Sequence, residues 1–380
     1  MTSPLRIIFN AIPLLSPLTG IGQYTYQLAQ RLQEDQNINI NFFYAAYWDD
    51  KLRNQPIPNI INIKTLIKKC LPNSYRLARR LQQYYFNHGI NSGVNAVYHE
   101  PNFLPFNFDG PTVITAHDLS WIRYPETHPI ERLRTMNRYF EAGLAKAHHI
   151  ITDSEFIKQE IIQVFGINPN KIQAIALGVE PIFIPQTADT TQDVLSQYKL
   201  KHAQYILSVG TLEPRKNIKN TIDAYMQLPA TTRKAYPLVI VGMKGWHKSK
   251  LEKQLTPLIQ AEEIRLIGYL PRQDLATLTA GALTLVYPSL YEGFGLPPLE
   301  AMSCGVPVIT SNTSSLPEVV NNGGILVDPL DVNAINLALN TLIHDQELRK
   351  TYAQQAYTQS LNFSWQRCTQ ETINVYRKVV

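Results

Sequence analysis

A chain of 380 residues exceeds what one ordinary hydrophobic core supports, so two domains are expected. Apolar residues make up 44% and charged residues 17%, which excludes wholesale disorder, and no apolar run approaches the roughly 20 residues that span a membrane. Net charge is +5, and the scattered Cys70, Cys304 and Cys368 give neither a disulfide framework nor a zinc pattern, as suits a reducing cytoplasm.

The first predicted strand is RIIFNA (6–11); Asn10 and Pro13 interrupt the apolar run, so it reads as a strand and not as a signal peptide. PLTGIGQYTYQL follows. Gly20 and Gly22 allow close backbone approach to a ligand, and the helix behind them offers unpaired N–H groups to an anion. Such turns also occur without ligands, and Thr25 stands where a dinucleotide fingerprint needs its third glycine. NINFFYA (39–45) is the next strand. Between Asp50 and Glu100 no acidic residue occurs, against eight basic ones: Lys51, Arg53, Lys64, Lys68, Lys69, Arg76, Arg79 and Arg80. With Leu66, Ile67, Leu71 and Leu77 interleaved, residues 51–80 suit an anionic membrane surface, at about 1 kcal/mol per basic residue. A solvated basic face or part of an acceptor site is the competing reading; nucleic acid is not an expected partner.

Strands AVYHEP (96–101), TVITAHD (112–118), HIITDS (149–154) and IQAIAL (172–177) complete the first half. In TAHDLSW, His117 sits at a strand end, where a neutral imidazole can bond a sugar hydroxyl; a structural histidine tied to backbone is the alternative. The polar, proline-bearing segment 181–198 reads as a linker between domains at 1–180 and 199–363. A terminal helix is expected over 364–380, with a return onto the first domain as one placement.

The second half repeats the alternation with YILSVG (205–210), LVIVG (238–242), IRLIG (264–268), LTLVYPS (283–289), PVITSN (307–312) and GGILVDP (323–329). Two doubly wound domains with parallel sheets follow, and such sheets bind ligands at the carboxyl ends of their strands. In SVGTLEPRKNI, Arg215 and Lys216 precede a helix starting near Asn217, where the helix dipole prefers anions. That misplacement points to an external negative charge, and a diphosphate suits a guanidinium fork beside an ammonium. In YEGFGLPPLEAMSCG, Glu292 lies in a loop after a strand. Glu300 falls in the first turn of a helix opened by Pro297 or Pro298, where the dipole alone would favour it.

These motifs resemble the retaining, nucleotide-sugar-dependent glycosyltransferases of family 4, with their GT-B fold of two Rossmann-like domains facing a central cleft. The resemblance spans nearly the whole chain and is densest over 205–330, where EPRKNI, the GYLP turn at 268–271 and the two-glutamate motif occur in the family's order. It implies that Glu292 holds donor-sugar hydroxyls and Glu300 the ribose hydroxyls. Arg215 and Lys216 would neutralise the diphosphate, helped by backbone at Gly293, Phe294, Gly295 and Leu296. Gly210 and Thr211 would line the phosphates, Tyr269 and Leu270 would face the base, Gly20 and Gly22 would approach the phosphates, and His117 would contact the donor sugar. Thr211 departs from the pattern, since many members carry arginine there. The wording TAHDLSW with SVGTLEPRKN also resembles the mannosyltransferase branch of O-antigen and capsule synthesis.

A hexosyltransferase using GDP-mannose is therefore expected, acting on a saccharide or lipid-linked glycan, cytoplasmic or peripheral on the inner membrane face. A UDP-sugar donor, or a sugar-nucleotide epimerase, is the alternative. No Asp-x-Asp triplet occurs, so neither a metal nor another cofactor is expected. A nicotinamide dehydrogenase is disfavoured because neither half carries a complete G-x-G-x-x-G after its first strand.

Overall fold

The computed structural model describes residues 4–53, 74–90, 96–242 and 255–380. They form two compact units, 1–119 with 130–178 and 365–380, and 120–129 with 179–364. Each is built on a twisted sheet whose apolar strands are covered by helices.

In the first unit, β1 (Leu5–Asn10), β2 (Ile38–Phe43), β3 (Trp48–Asp49), β4 (Val97–Glu100), β5 (Thr112–Ala116), β6 (His149–Thr152) and β7 (Ile172–Ala174) lie in the order β3-β2-β1-β4-β5-β6-β7. All pairs are parallel except β2 with β3, whose register sets Phe42 opposite Asp49 and Phe43 opposite Trp48. The sequence reading missed β3 because two residues carry no periodicity. In the second unit, β8 (Ile206–Val209), β9 (Leu238–Val241), β10 (Ile264–Ile267), β11 (Thr284–Tyr287), β12 (Val308–Ser311) and β13 (Gly324–Val327) run in the order β10-β9-β8-β11-β12-β13, all parallel. LVIV and TLVY are buried along their whole length, as strands covered on both faces must be. In both units the order reverses between the first and fourth strands, at β1/β4 and β8/β11. Crossovers leave this switch point to opposite faces and open a crevice at the strands' carboxyl ends.

One boundary corrects the sequence reading. Segment 181–198 is not a linker: Phe183 and Leu195 are buried in the core of the second unit. A helix forms over Ala188–Gln197 behind a capping box in which Thr187 and Thr190 bond each other's backbone N–H. The terminal helix Trp365–Val379 belongs to the first unit, where Tyr376 Oη lies 2.5 Å from His99 Nδ1 and Trp365, Ile373 and Tyr376 are buried.

Of the basic block, Lys64, Lys68 and Lys69 lie outside the described residues, and so does the side chain of Arg76. Arg79 is not a solvated cation. It donates to the carbonyls of Leu104 and Pro105 at 3.1 and 2.5 Å and lies 4.9 Å over the Phe106 ring. Arg53 pairs with Asp49. Lys51 and Arg80 are exposed.

Candidate active site

The second unit builds its site at the β8/β11 switch point. β8 ends at Gly210, whose φ of +155° favours glycine, and the chain then forms a 3-10 turn over Pro214–Lys216. Asn217, left-handed at φ 56°, closes that turn and starts the helix Ile218–Met226. Its Nδ2 donates to the carbonyls of Pro288, 2.9 Å, and Pro329, 2.7 Å, stitching together the loops after β8, β11 and β13. Leu290 N donates to Arg215 O at 2.9 Å. The loop after β8 is thus fixed before any side chain meets a ligand.

Four charged side chains meet there, Arg215, Lys216, Glu292 and Glu213. Arg215 Nη1 donates to Tyr291 O at 2.6 Å and to Glu292 Oε2 at 3.1 Å. Lys216 Nζ donates to Glu292 Oε1 at 2.6 Å and to the Tyr287 hydroxyl at 2.8 Å, and Tyr287 donates in turn to Glu292 Oε1 at 2.8 Å. Burial alone would raise the Glu292 carboxyl, but Lys216 and Arg215 outweigh it and hold it at about 2. Burial also lowers Lys216, against the pull of Glu292. Arg215 and Lys216 share the Glu292 carboxylate, and Arg215 Nη2 also lies 3.8 Å from Glu213 Oε2, so the two cations face two carboxylates.

The Glu292 loop is clamped from the segment after β12. Ser315 Oγ lies 2.9 Å from the carbonyls of both Glu292 and Phe294, which share its one O–H, and Glu292 N donates to Ser314 Oγ at 3.1 Å. Gly295 has φ +118°, and a Cβ there would sit 2.8 Å from Leu316, so only glycine fits before the helix Leu296–Ser303. Gly293 lies in this clamped loop and Leu296 opens the helix. Phe294 is a core residue, edge-on to Phe363 at 5.8 Å.

Glu300 is the fifth residue of that helix, past its first turn, so the dipole does not account for it. Its Oε1 accepts from Arg272 Nη2 at 2.7 Å, and Arg272 also grips Glu180. Burial raises the Glu300 carboxyl and Arg272 opposes the rise. Tyr269 is 53% exposed, whereas Leu270 is buried in the core. Thr211 O accepts from Glu213 N at 2.7 Å.

The remaining predicted residues belong to the first unit. Gly20 and Gly22 form the first turn of the helix Gly20–Glu34, not a loop ahead of it, and the space beside Gly20 is open. His117 follows β5 with both ring nitrogens engaged: Nδ1 lies 2.7 Å from Asp153 Oδ2 and Nε2 2.8 Å from Pro101 O. A carbonyl only accepts, so Nε2 carries a proton. Burial lowers the ring, but Asp153 outweighs it and raises it. The neutral imidazole turned to a sugar, as read from sequence, is not what the structure displays. At the β1/β4 switch point, Glu100 accepts from Asn10 Nδ2 at 2.6 Å and from the Tyr98 hydroxyl at 2.8 Å, and burial pushes its carboxyl up to about 7.

The structure therefore brings together Gly210, Arg215, Lys216 and Glu292. Glu300 joins the same unit through Arg272. Sequence reasoning missed Tyr287, Arg272, Glu180, Asp153 and Glu100. Tyr287, Asp153 and Glu100 lay in quoted strands, Arg272 directly after the GYLP turn, and Glu180 at the last position of the stretch read as the first domain.

A pair of cations at the switch point of a Rossmann-like unit, in a chain of two such units, fits a glycosyltransferase of the GT-B type. Solved structures share the fold over the whole chain. Sucrose-phosphate synthase from Thermosynechococcus elongatus superposes with a TM-score of 0.74 at 20% identity, covering 99% of both chains. HepE from Anabaena, solved with UDP and glucose, gives 0.72 at 19%, covering 98% of this chain and 100% of its own. The family models for Glycosyltransferase Family 4 and Glycosyl transferases group 1 match residues 18–182 and 193–359. The O-antigen chain mannosyltransferase B of Escherichia coli is 38% identical over 98% of this chain and 100% of its own length. The chain belongs to glycosyltransferase family 4.

Proposed function

We propose that the chain transfers mannose from GDP-mannose, with retention at the anomeric carbon and without a metal, to a saccharide or lipid-linked glycan. The observation that carries this reading is the Arg215–Lys216–Glu292 triad at the switch point, two adjacent cations held in place by one buried carboxylate. Departure of the nucleotide builds negative charge on the β-phosphate, and a preorganised cation pair stabilises that charge where it forms. Arg215 and Lys216 take the diphosphate. Glu292 sets the two cations in place and shares its acceptor capacity with a donor-sugar hydroxyl. Glu300 receives the ribose hydroxyls and the exposed Tyr269 meets the base. Backbone at Gly210, Thr211, Gly293 and Gly295 lines the phosphates.

Mannose and the glycan acceptor rest on the full-length likeness to the E. coli mannosyltransferase. A UDP-sugar donor is the second reading, favoured by the UDP bound in Anabaena HepE. A thermal-shift panel of GDP, UDP, ADP and TDP separates the two, followed by detection of one added hexose on a lipid-linked glycan. Stabilisation by UDP alone overturns the GDP reading, and conversion of the nucleotide sugar to its epimer in the absence of acceptor points to an epimerase.

Among the described residues no helix is long and apolar enough to cross a membrane. Contact with an anionic membrane surface is supported by the helix Ser74–Gly89, where Leu77, Leu81 and Tyr84 are exposed at helical spacing beside Arg80. Co-sedimentation with anionic vesicles at low salt tests it. A protein left in the supernatant contradicts it.

A further inference from the structure

Arg272 opens the helix Arg272–Ala280 and lies between two carboxylates that are far apart in sequence. Its Nε donates to Glu180 Oε1 at 2.8 Å, and Nη2 donates both to that same oxygen and to Glu300 Oε1 at 2.7 Å. The guanidinium also lies 4.7 Å over the Phe183 ring, which fixes its plane. Left alone, an arginine beside a carboxylate docks two parallel N–H groups on both oxygens. Here the Nε/Nη2 edge is turned to Glu180, and of the remaining Nη1/Nη2 edge only Nη2 bonds Glu300. Glu300 is consequently bonded through Oε1 only, and its Oε2 accepts no hydrogen bond among the described residues.

We infer that Glu180 and Arg272 are positioning residues for nucleotide binding: Glu180 restrains Arg272 to a one-oxygen grip on Glu300, which leaves the second oxygen open to a ribose hydroxyl. The inference rests on the reading of Glu300 as the ribose ligand. Arg272 supplies what a buried carboxylate needs to remain an acceptor. With 7% of the Glu300 side chain exposed, an unpaired anion there would take up a proton and lose acceptor capacity. Glu180 supplies the restraint that keeps this partner from covering the whole carboxylate. Two consequences follow. Removing Glu180 frees the guanidinium to close over both oxygens of Glu300, and removing Arg272 leaves Glu300 without its counter-charge. Both changes act on the ribose hydroxyls and neither acts on the diphosphate.

The test is calorimetric titration of the full chain with GDP and with 2′,3′-dideoxy-GDP, and in parallel with UDP and its dideoxy form, for the parent, E180A, R272K and E300A. The expected result is that the parent binds the natural diphosphate at least tenfold more tightly than its dideoxy form. E180A then loses about tenfold toward the natural nucleotide and less than twofold toward the dideoxy one, with R272K between parent and E180A. If E180A weakens both ligands equally, or neither, while E300A still shows the selective loss, the positioning role is overturned and the ribose reading stands. If the parent does not distinguish the two ligands, or E300A weakens both alike, the ribose reading itself fails. E180A removes a partly exposed side chain, so unchanged melting temperature confirms that its loss is not one of folding.

Discussion

Glu292 and Glu100 are both buried carboxyls, yet their surroundings push them in opposite directions. Glu292 is held at about 2 by Lys216 and Arg215, against burial, and Glu100 is raised to about 7 chiefly by burial. For Glu292 the folded value lies below the unfolded 4.5, so its contribution to stability is present above pH 4.5 and lost as pH falls toward 2. For Glu100 the folded value lies above 4.5, so its contribution is present below pH 4.5 and lost as pH rises through about 7. Its loss amounts to about 3 kcal/mol at 1.36 kcal/mol per pKa unit. Melting temperature recorded from pH 4.5 to 8 should fall as Glu100 ionises, and Glu100→Gln should flatten that fall; an unchanged slope counts against the assignment. Glu292→Ala leaves two cations without their shared partner, a loss of about 3–5 kcal/mol for a broken buried pair. Its melting temperature should drop together with its turnover, and full activity at parental stability would show the triad to be dispensable. Both cations were legible in the sequence because they sat where a helix dipole disfavours them. Their bonds to Glu292 were not, since 76 positions separate Lys216 from its partner and spacing alone cannot report a loop-to-loop contact.

The terminal helix Trp365–Val379 is an element whose place no local pattern reveals. Its buried stripe of Trp365, Cys368, Ile373 and Tyr376 marks it as amphipathic, but the stripe does not say which core receives it. Tyr376 answers through His99, itself bonded by Nε2 to Thr115 at 2.9 Å. Tyr376→Phe leaves a buried ring nitrogen without its partner at a cost of about 1–3 kcal/mol. At about 2–4 °C per kcal/mol, the first unit should melt several degrees lower in calorimetry. A wild-type transition would assign the helix's hold to apolar packing alone. The twelve longer strands were readable because continuous Val, Ile and Leu runs between turn signals have few other fates. Segment 181–198 misled because its burial depends on isolated residues, Phe183 and Leu195, set among threonines and prolines.

At the scale of the molecule, two units carry the same reversal of strand order and have put different chemistry at it. The second holds a cationic triad between β8 and β11, and the first holds Asn10 and Glu100 at the ends of β1 and β4. That both halves are doubly wound was plain from alternation. That the crevice residues of the first half include a buried glutamate was not, because HEPNF carries no spacing that separates a site from a core. The account's central claim is that Arg215 and Lys216, without a metal, meet the charge of the departing diphosphate. Losing one hydrogen bond to a charged group removes about 1.5–3 kcal/mol, or about one to two decades in rate. The direct measurement is the rate of GDP release from GDP-mannose with acceptor in excess EDTA, for the parent and for Lys216→Ala. The account predicts a parent indifferent to EDTA and a variant slowed about 10- to 100-fold while still folded. Activity that vanishes with EDTA and returns with manganese, or a variant as fast as the parent, would contradict it.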